Sequence, residues 1–146
     1  MSDDQLPEKH VVTAFVRHEG RILLVRRSQK VGSYQGRWSA ISGYLDDPDP
    51  LTQALTEIRE EISLREDQVR LVRQGVPLPI PDNHMKVCWV VHPFLFETDA
   101  PDDVRLDWEN IEFRWLEPTR ISSLATVPGL LQAWQRCHQT TESHHD

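Results

Sequence analysis

Short blocks of apolar residues, separated by polar or glycine-bearing turns, predict an alternation of strands and helices along the chain. Runs of β-branched and apolar residues predict strands at 11–16, 22–25, 37–41, 69–74, 86–96 and 111–116. Helical spacing of apolar residues is found at 51–63 and 128–137, with a short helical turn at 119–124. This order indicates a mixed sheet with helices packed on its faces, an α/β (α+β) sandwich.

The helix predicted at 51–63 carries two kinds of side chain on well-separated faces. Its apolar stripe repeats at i, i+4, i+7 and i+11 and consists of Leu51, Leu55, Ile58 and Ile62. Its glutamates repeat at i, i+3 and i+4 and are Glu57, Glu60 and Glu61. The glutamates are either a solvated acidic face or hard oxygen ligands for Mg²⁺ or Mn²⁺. The tight acidic loop at 46–50, directly before the helix, favours the cation site.

Length, charge and cysteine content limit the classes of function. The 146 residues suffice for one domain with its own core. The 16 basic and 23 acidic residues give a formal net charge of −7, which argues against duplex nucleic acid as a partner but not against a small phosphate-bearing substrate. Two cysteines cannot form a disulfide scaffold. Since no secretory signal or membrane-length apolar run is found, the cytoplasm is the expected location and no membrane partner is expected.

The stretch from Gly43 to Leu64 resembles the Nudix box. That signature is a glycine loop leading into a helix with the pattern arginine-glutamate-aliphatic-any-glutamate-glutamate-any-glycine-aliphatic. The matching positions are Glu57, Ile58, Glu60, Glu61 and Leu64. Residues 20–27, 36–38 and 111–116 resemble the family's first hairpin, the approach to its box and its late strand. The resemblance covers 10–136 and implies a Nudix-type α/β/α sandwich with the mixed sheet between the helices.

The box departs from the family pattern at several positions. Thr56 stands where the family has arginine, and Ser63 stands where it has glycine near the helix end. The glycine pair is Ser42–Gly43, and the loop is one residue shorter, with Asp49 nearest to the family's loop glutamate. Arginine and glutamate are absent together, which is consistent with joint loss of a structural ion pair, because an unpaired buried arginine is costly.

The resemblance implies hydrolysis of a nucleoside diphosphate linked to another moiety, with Mg²⁺ or Mn²⁺ as cofactor. By resemblance, Glu57, Glu60 and Glu61 hold the metal together with the main-chain carbonyl of Gly43, and Glu57 or Glu60 is also a candidate base. Many family members add a carboxylate from the loop before the late strand, and Glu109 has the best offset for that role here. A solvated surface acid is the alternative interpretation of Glu109.

Residues around the box are candidates for substrate binding. Basic residues that could meet phosphates are Arg26, Arg27, Lys30 and Arg37, and aromatic residues that could stack on a base are Tyr34, Trp38 and Trp89. The alternative interpretation of the basic residues is ordinary surface charge, and that of the aromatic residues is packing in the core. The proline-rich run 76–81 is either a lid or rim or a stiff connection. His84 and His92 are interpreted as packing or surface histidines.

The domain boundaries and three functions complete the prediction. Residues 1–9 are expected to be a flexible N-terminus, 10–138 a single Nudix domain and 139–146 a flexible tail. The favoured function is a metal-dependent pyrophosphohydrolase acting on a nucleotide sugar, an ADP-ribose-like compound or a nucleoside triphosphate. The alternatives are a Nudix-fold nucleotide-binding or regulatory module with weak or no catalysis, and an acidic protein-interaction domain. The expected partners are a small-molecule nucleotide and a second copy of the chain in a homodimer.

Overall fold

The computed structural model describes residues 5–138, which form eight strands and two α-helices. The elements are β1 Glu8–His18, β2 Arg21–Arg27, β3 Trp38–Ser39, β4 Ile41–Tyr44, α1 Pro50–Ile62, β5 Val69–Gln74, β6 Leu78–Asp82, β7 Val87–Thr98, β8 Asn110–Leu116 and α2 Leu130–His138. Residues 1–4 and 139–146, parts of the predicted flexible ends, lie outside the described residues. Among the described helices, none is both long enough and apolar enough to cross a membrane.

The strands form one mixed sheet. Its main path runs β3-β2-β1-β7-β5, with β4 also beside β1, β6 beside β7 and β8 beside β2. Strands β1 and β7 are parallel over ten residue pairs, from Glu8↔Cys88 to Arg17↔Glu97, and every other pairing is antiparallel. Because β4 pairs with β1 through Val12↔Gly43, the start of the box is anchored to the centre of the sheet.

The two helices cover opposite faces of this sheet. Side chains alternate between faces along a strand, so Val12, Ala14 and Val16 pack with Ile58 and the rest of the α1 layer. The intervening Phe15 packs instead with the α2 layer, which includes Leu130, Ala133, Trp134 and Cys137. The predicted α/β/α sandwich is confirmed.

Helix α1 buries a different set of positions from the predicted stripe. Ile58 and Ile62 are buried as expected and Ala54 is buried as well, whereas Leu51 and Leu55 are only half-buried. Two polar residues, Gln53 and Glu61, are buried in their place. The fold therefore covers part of the polar side of the helix, where Gln53 bonds to Glu57 and Glu61 bonds to Asn110.

Two further differences from the predicted elements concern prolines and strand breaks. The proline-rich run is neither a lid nor a plain connection, because Leu78–Asp82 forms the edge strand β6, where prolines are tolerated. The single strand predicted at 37–41 is divided into β3 and β4 at Ala40. Strand β7 continues through Pro93, which lies where its antiparallel partner changes from β6 to β5.

Candidate functional site

Strand β4 and helix α1 bring the first glutamate of the box against the sheet. A Cβ atom built on Gly43 would lie 2.3 Å from Cδ of Glu57. No side chain fits there, so the glycine is required for the Glu57 carboxylate to lie against the β4 backbone. Burial raises the pKa of Glu57, while a hydrogen bond from Gln53 opposes that rise.

Gln53 connects the loop to this glutamate. Its Nε2 donates to Oε2 of Glu57 at 2.9 Å, and its Oε1 accepts the backbone N–H groups of Asp46 at 3.0 Å and Asp47 at 2.9 Å. The side chain is 7% exposed. Sequence analysis missed Gln53, although a polar residue one helical turn before Glu57 is a signal that could have found it.

Glu61 is the most buried carboxylate of the box, with 3% of its surface exposed. Its Oε1 accepts a hydrogen bond from Nδ2 of Asn110 at 3.2 Å, and its Oε2 is buried without a hydrogen-bond partner. Burial, reinforced by repulsion from Glu109 and Glu57, raises the pKa of Glu61 well above the usual value. The interpretation of all three glutamates as a solvated face is therefore wrong for Glu61. Asn110 was not anticipated from the sequence.

The loop before β8 brings Glu109 close to Glu57 and Glu61. Burial raises the pKa of Glu109, and repulsion from Asp107 and Glu57 adds to the rise, while Arg27 opposes it. Glu109 is half-buried and lines the cleft beside α1, so it is not an isolated surface acid. Glu60 is exposed and lines that cleft as well.

The donor set suits a hard divalent cation, since carboxylate oxygens are the ligands that Mg²⁺ and Mn²⁺ prefer. Across residues 5–138, no three His, Cys, Asp or Glu side chains are already spaced to hold a metal ion jointly. The observation that fits a cation is instead the partnerless Oε2 of Glu61, because a buried carboxylate oxygen without a donor is costly.

A cleft of about 490 Å³ extends from these carboxylates across the sheet. Arg27 and Tyr34, two of the predicted substrate-binding residues, line the cleft, as does Lys30. Burial lowers the pKa of Arg27, and attraction to Glu61 and Glu109 opposes this. Arg27 therefore supplies positive charge close to the acidic cluster, because a guanidinium stays protonated in proteins.

The other predicted substrate-binding residues lie outside the cleft lining. Arg26 donates to the carbonyl of Gly36 at 3.2 Å and contacts Glu112 at 3.3 Å. Arg37 donates to the carbonyl of Thr126 at 3.1 Å. Both arginines therefore connect strands and loops of the fold in this structure.

Some of the aromatic and histidine candidates line the cleft, and the others lie in the core or elsewhere on the fold. Trp38 is buried in the α2 layer, so it is a core residue, whereas Trp89 lines the cleft. His92 forms a hydrogen bond with His10 at 2.9 Å, and His84 is exposed beside the Tyr34 ring. Two further aromatic residues that line the cleft, Tyr44 and Trp108, were not among the predicted candidates.

Comparison with known proteins identifies the family and the fold. The model of the NUDIX domain matches residues 7–136, and no curated protein matches the chain. The MutT protein from Methanosarcina mazei Go1 is similar in structure, with a TM-score of 0.67, 23% identity, and coverage of 90% of this chain and 93% of that one. An Ap4A hydrolase of C. elegans, crystallised as a binary complex, is also similar in structure. Its TM-score is 0.69 and its sequence identity 18%, and the match covers 90% of this chain and 94% of that one.

The NUDIX domain of Shewanella oneidensis NrtR, crystallised with ADP ribose, has a TM-score of 0.67 and 15% identity and covers 93% of this chain and 90% of its own. Since all three identities lie below 25%, these structures establish the fold and nothing finer.

Proposed function

We infer the function from the premise that this chain belongs to the NUDIX domain family, whose model spans residues 7–136. The family and its Nudix hydrolase neighbours support a hydrolase acting on pyrophosphate bonds. We propose that the chain is a metal-dependent pyrophosphohydrolase that cleaves a nucleoside diphosphate linked to another moiety. The observation that carries this proposal is the buried, partnerless Oε2 of Glu61 among neighbouring carboxylates.

Nudix hydrolases generally use divalent metal ions, and Mg²⁺ or Mn²⁺ is proposed here. Glu57, Glu60 and Glu61 would hold the ion, with the main-chain carbonyl of Gly43 as a further ligand. When bound there, a divalent ion neutralises charge developing on the pyrophosphate oxygens and helps to generate hydroxide from water.

The remaining contributions come from the chain's own side chains. Gln53 holds Glu57 in place, and Asn110 orients Glu61 through its Oε1. Glu109, which lines the same cleft as Glu57 and Glu60, is proposed to accept a proton from the attacking water. Arg27 is proposed to bind the phosphate groups, since it lines the cleft beside the carboxylates and Ser33, which accepts from its Nε and Nη2, orients the guanidinium there.

The test is a substrate screen with the purified protein and either Mg²⁺ or Mn²⁺. Suitable compounds are nucleoside triphosphates, nucleotide sugars, ADP-ribose, dinucleoside polyphosphates and dinucleotide cofactors. The neighbours include proteins named MutT and Ap4A hydrolase and one bound to ADP ribose, which motivates this range. We expect metal-dependent release of a nucleoside monophosphate from at least one class. No turnover of any compound with either ion would overturn the proposal.

The altered box favours a second candidate, a nucleotide-binding or regulatory module. Thr56 and the shortened loop remove the family's arginine and its partner. Thermal stabilisation by nucleotides without turnover would support this second function. The absence of both effects would leave an acidic protein-interaction domain.

We also propose that the protein is a homodimer and that it is located in the cytoplasm. A homodimer is tested by light scattering of the purified chain, where the mass of one chain, 17.0 kDa, would contradict it. The cytoplasm is tested by fractionation of the cell of origin.

A further inference from the structure

The loop that leads into β8 (residues 104–109, the β8 loop) is bound to the C-terminal end of helix α1. The backbone N–H of Arg105 donates to the carbonyl of Ile62 at 3.0 Å, and that of Asp107 donates to the carbonyl of Glu61 at 3.3 Å. The last carbonyls of an α-helix have no partner within the helix. These two hydrogen bonds therefore satisfy acceptors that α1 itself leaves free.

Three side chains strengthen this attachment of the β8 loop. Oγ of Ser63, the residue that caps α1, donates to the carbonyl of Arg105 at 3.1 Å. Val104 is buried in the α1 layer, and Leu106 packs against the same layer. The loop is therefore attached to α1 or to its layer at four successive residues, 104–107.

Asp107 links the attached part of the loop to Glu109. Its backbone N–H is bonded to Glu61, and its side-chain Oδ1 accepts the backbone N–H of Glu109 at 3.0 Å. The carbonyl of Glu109 accepts the backbone N–H of Ser28 at 2.7 Å, and Ser28 is a buried residue directly after β2. Both polar groups of the Glu109 main chain thus have partners, so its backbone is held from two sides.

The residues on either side of Glu109 also hold Glu61 at two points. The main-chain carbonyl of Glu61 accepts from the backbone of Asp107, and its side-chain Oε1 accepts from Nδ2 of Asn110, the first residue of β8. Asp107 and Asn110 flank Glu109 in the sequence, and both bond to Glu61. The placement of Glu109 relative to Glu61 is therefore fixed by a short, closed set of hydrogen bonds.

We propose that Asp107 is a positioning residue, which holds Glu109 beside the carboxylates of the box through the backbone of the β8 loop. This inference rests on the proposed function, in which Glu109 accepts a proton from the attacking water. A proton acceptor must lie within hydrogen-bond reach of the water, whereas surface loops are ordinarily mobile. Asp107 does not line the cleft, so it acts through its hydrogen bond to the main chain of Glu109 and not on the substrate.

Two variants separate the hydrogen bond of Asp107 from its charge. Asp107→Asn and Asp107→Ala both remove the charge, but only asparagine keeps an oxygen that accepts the N–H of Glu109. With the best substrate of the screen, kcat of Asp107→Ala should fall on the order of tenfold to a hundredfold, since small misplacements of catalytic groups have effects of that size, and KM should change much less. Asp107→Asn should retain most of the parental kcat. Asp102→Ala, which removes an exposed carboxylate just before the same loop, is the matched control.

Hydrogen–deuterium exchange of the metal-free protein measures the positioning without any turnover. In Asp107→Ala, the amides of the peptide 104–110 should exchange about three- to tenfold faster than in the parent, because one net hydrogen bond changes an equilibrium by a factor of that size. Asp107→Asn should exchange at nearly the parental rate. Peptides from α2, Leu130–His138, should exchange at the parental rate in every variant, which distinguishes local loosening of the β8 loop from general destabilisation.

A double-mutant cycle with Glu109→Gln shows whether Asp107 acts through Glu109. Residues that work as one unit give non-additive effects when both are changed. In the Glu109→Gln background, Asp107→Ala should therefore lower kcat little further. A merely structural role of Asp107 would give the same loss of kcat in both backgrounds.

Equal losses of kcat in Asp107→Asn and Asp107→Ala, parental exchange of 104–110 in Asp107→Ala, or additive losses in the double variant would overturn the positioning role. These results are distinguishable from failure of the proposed function. If no compound is hydrolysed but Asp107→Ala loosens the β8 loop, the proposed function fails and the positioning of Glu109 by Asp107 stands. If the parent and Asp107→Ala hydrolyse the substrate with equal kcat, the proposed function stands and the positioning role fails.

Discussion

At the residue scale, Glu61 combines features that rarely occur together in a carboxylate. One oxygen is bonded to Asn110, the other is buried without a partner, and burial, reinforced by repulsion from Glu109 and Glu57, raises its pKa. Removing the charge therefore removes the proposed metal ligand while relieving burial of an ion.

Glu61→Gln should leave the fold intact and lower turnover by roughly a hundredfold or more, because metal-assisted stabilisation is worth several kcal/mol and ~1.4 kcal/mol is tenfold in rate. Steady-state kinetics and thermal unfolding measure the two effects. Glu66→Gln, on an exposed helical turn, should behave as the parent. Parental turnover in Glu61→Gln would contradict the assignment.

Gln53 is the second residue whose environment makes a prediction. Gln53→Met keeps the volume but removes the hydrogen bonds to Glu57, Asp46 and Asp47. We expect a loss of about 2 kcal/mol in the free energy of unfolding, since three hydrogen bonds are lost, one of them to the half-buried carboxylate of Glu57, and a fall in kcat larger than any rise in KM. Denaturant unfolding and kinetics measure these. The exposed Gln135→Met is the control, and unchanged values in Gln53→Met would exclude this role.

At the element scale, α1 and its loop explain how the box holds together without its ion pair. Oδ2 of Asp49 accepts the hydroxyl of Thr52 at 2.7 Å, and Oδ1 of Asp47 accepts the backbone N–H of Asp49 at 2.8 Å. The loop is therefore closed by its own side chains and by Gln53. The residue that caps the C-terminal end of the helix, Ser63, has a φ of 65°, a conformation that glycine adopts more easily.

Restoring the family's arginine should not help. Thr56 is half-buried, and the nearest loop acid, Asp49, is already engaged by Thr52. Thr56→Arg is expected to give no gain in turnover and a slightly lower unfolding temperature, because the new charge lacks a buried partner. Kinetics with Mg²⁺ and thermal unfolding test this. A large rise in activity would instead identify the natural protein as a weakened enzyme and favour the binding-module function.

At the scale of the whole molecule, the parallel pair β1 and β7 carries a pH-sensitive contact. Nδ1 of His10 and Nε2 of His92 lie 2.9 Å apart, a hydrogen bond in which one ring nitrogen must be an unprotonated acceptor. Burial, followed by repulsion from His10, lowers the pKa of His92. The unfolded state then binds more protons than the folded state around the usual histidine pKa of about 6.5.

This contribution to stability is fully present above that unfolded pKa and is lost as the pH falls through the lowered folded pKa. The parent should therefore lose unfolding temperature between pH 7 and pH 5 more steeply than His92→Gln. The control is His84→Gln, which changes an exposed histidine and should keep the parental slope. Parallel slopes in the parent and in His92→Gln would show that the pair makes no such contribution.

The sequence by itself determined most of the elements and the family. Periodicity predicted α1, the first hairpin and the late strand, because apolar spacing follows directly from helix and strand geometry. The spacing of Glu57, Glu60 and Glu61 placed them on one helix, and the box motif identified the Nudix resemblance that the family match confirms.

Tertiary structure alone decided which of these side chains are buried and which meet. Periodicity defines the faces of α1 but not how far the sheet covers each, so the burial of Gln53 and Glu61 was not predictable. Arg26 and Arg27 are sequence neighbours, yet only Arg27 lines the cleft, and the register of β2 against β8 shifts between these two residues. The contact of Asp82 with Tyr34 joins positions 48 residues apart. Such contacts depend on how distant segments of the chain pack together, which local periodicity does not determine.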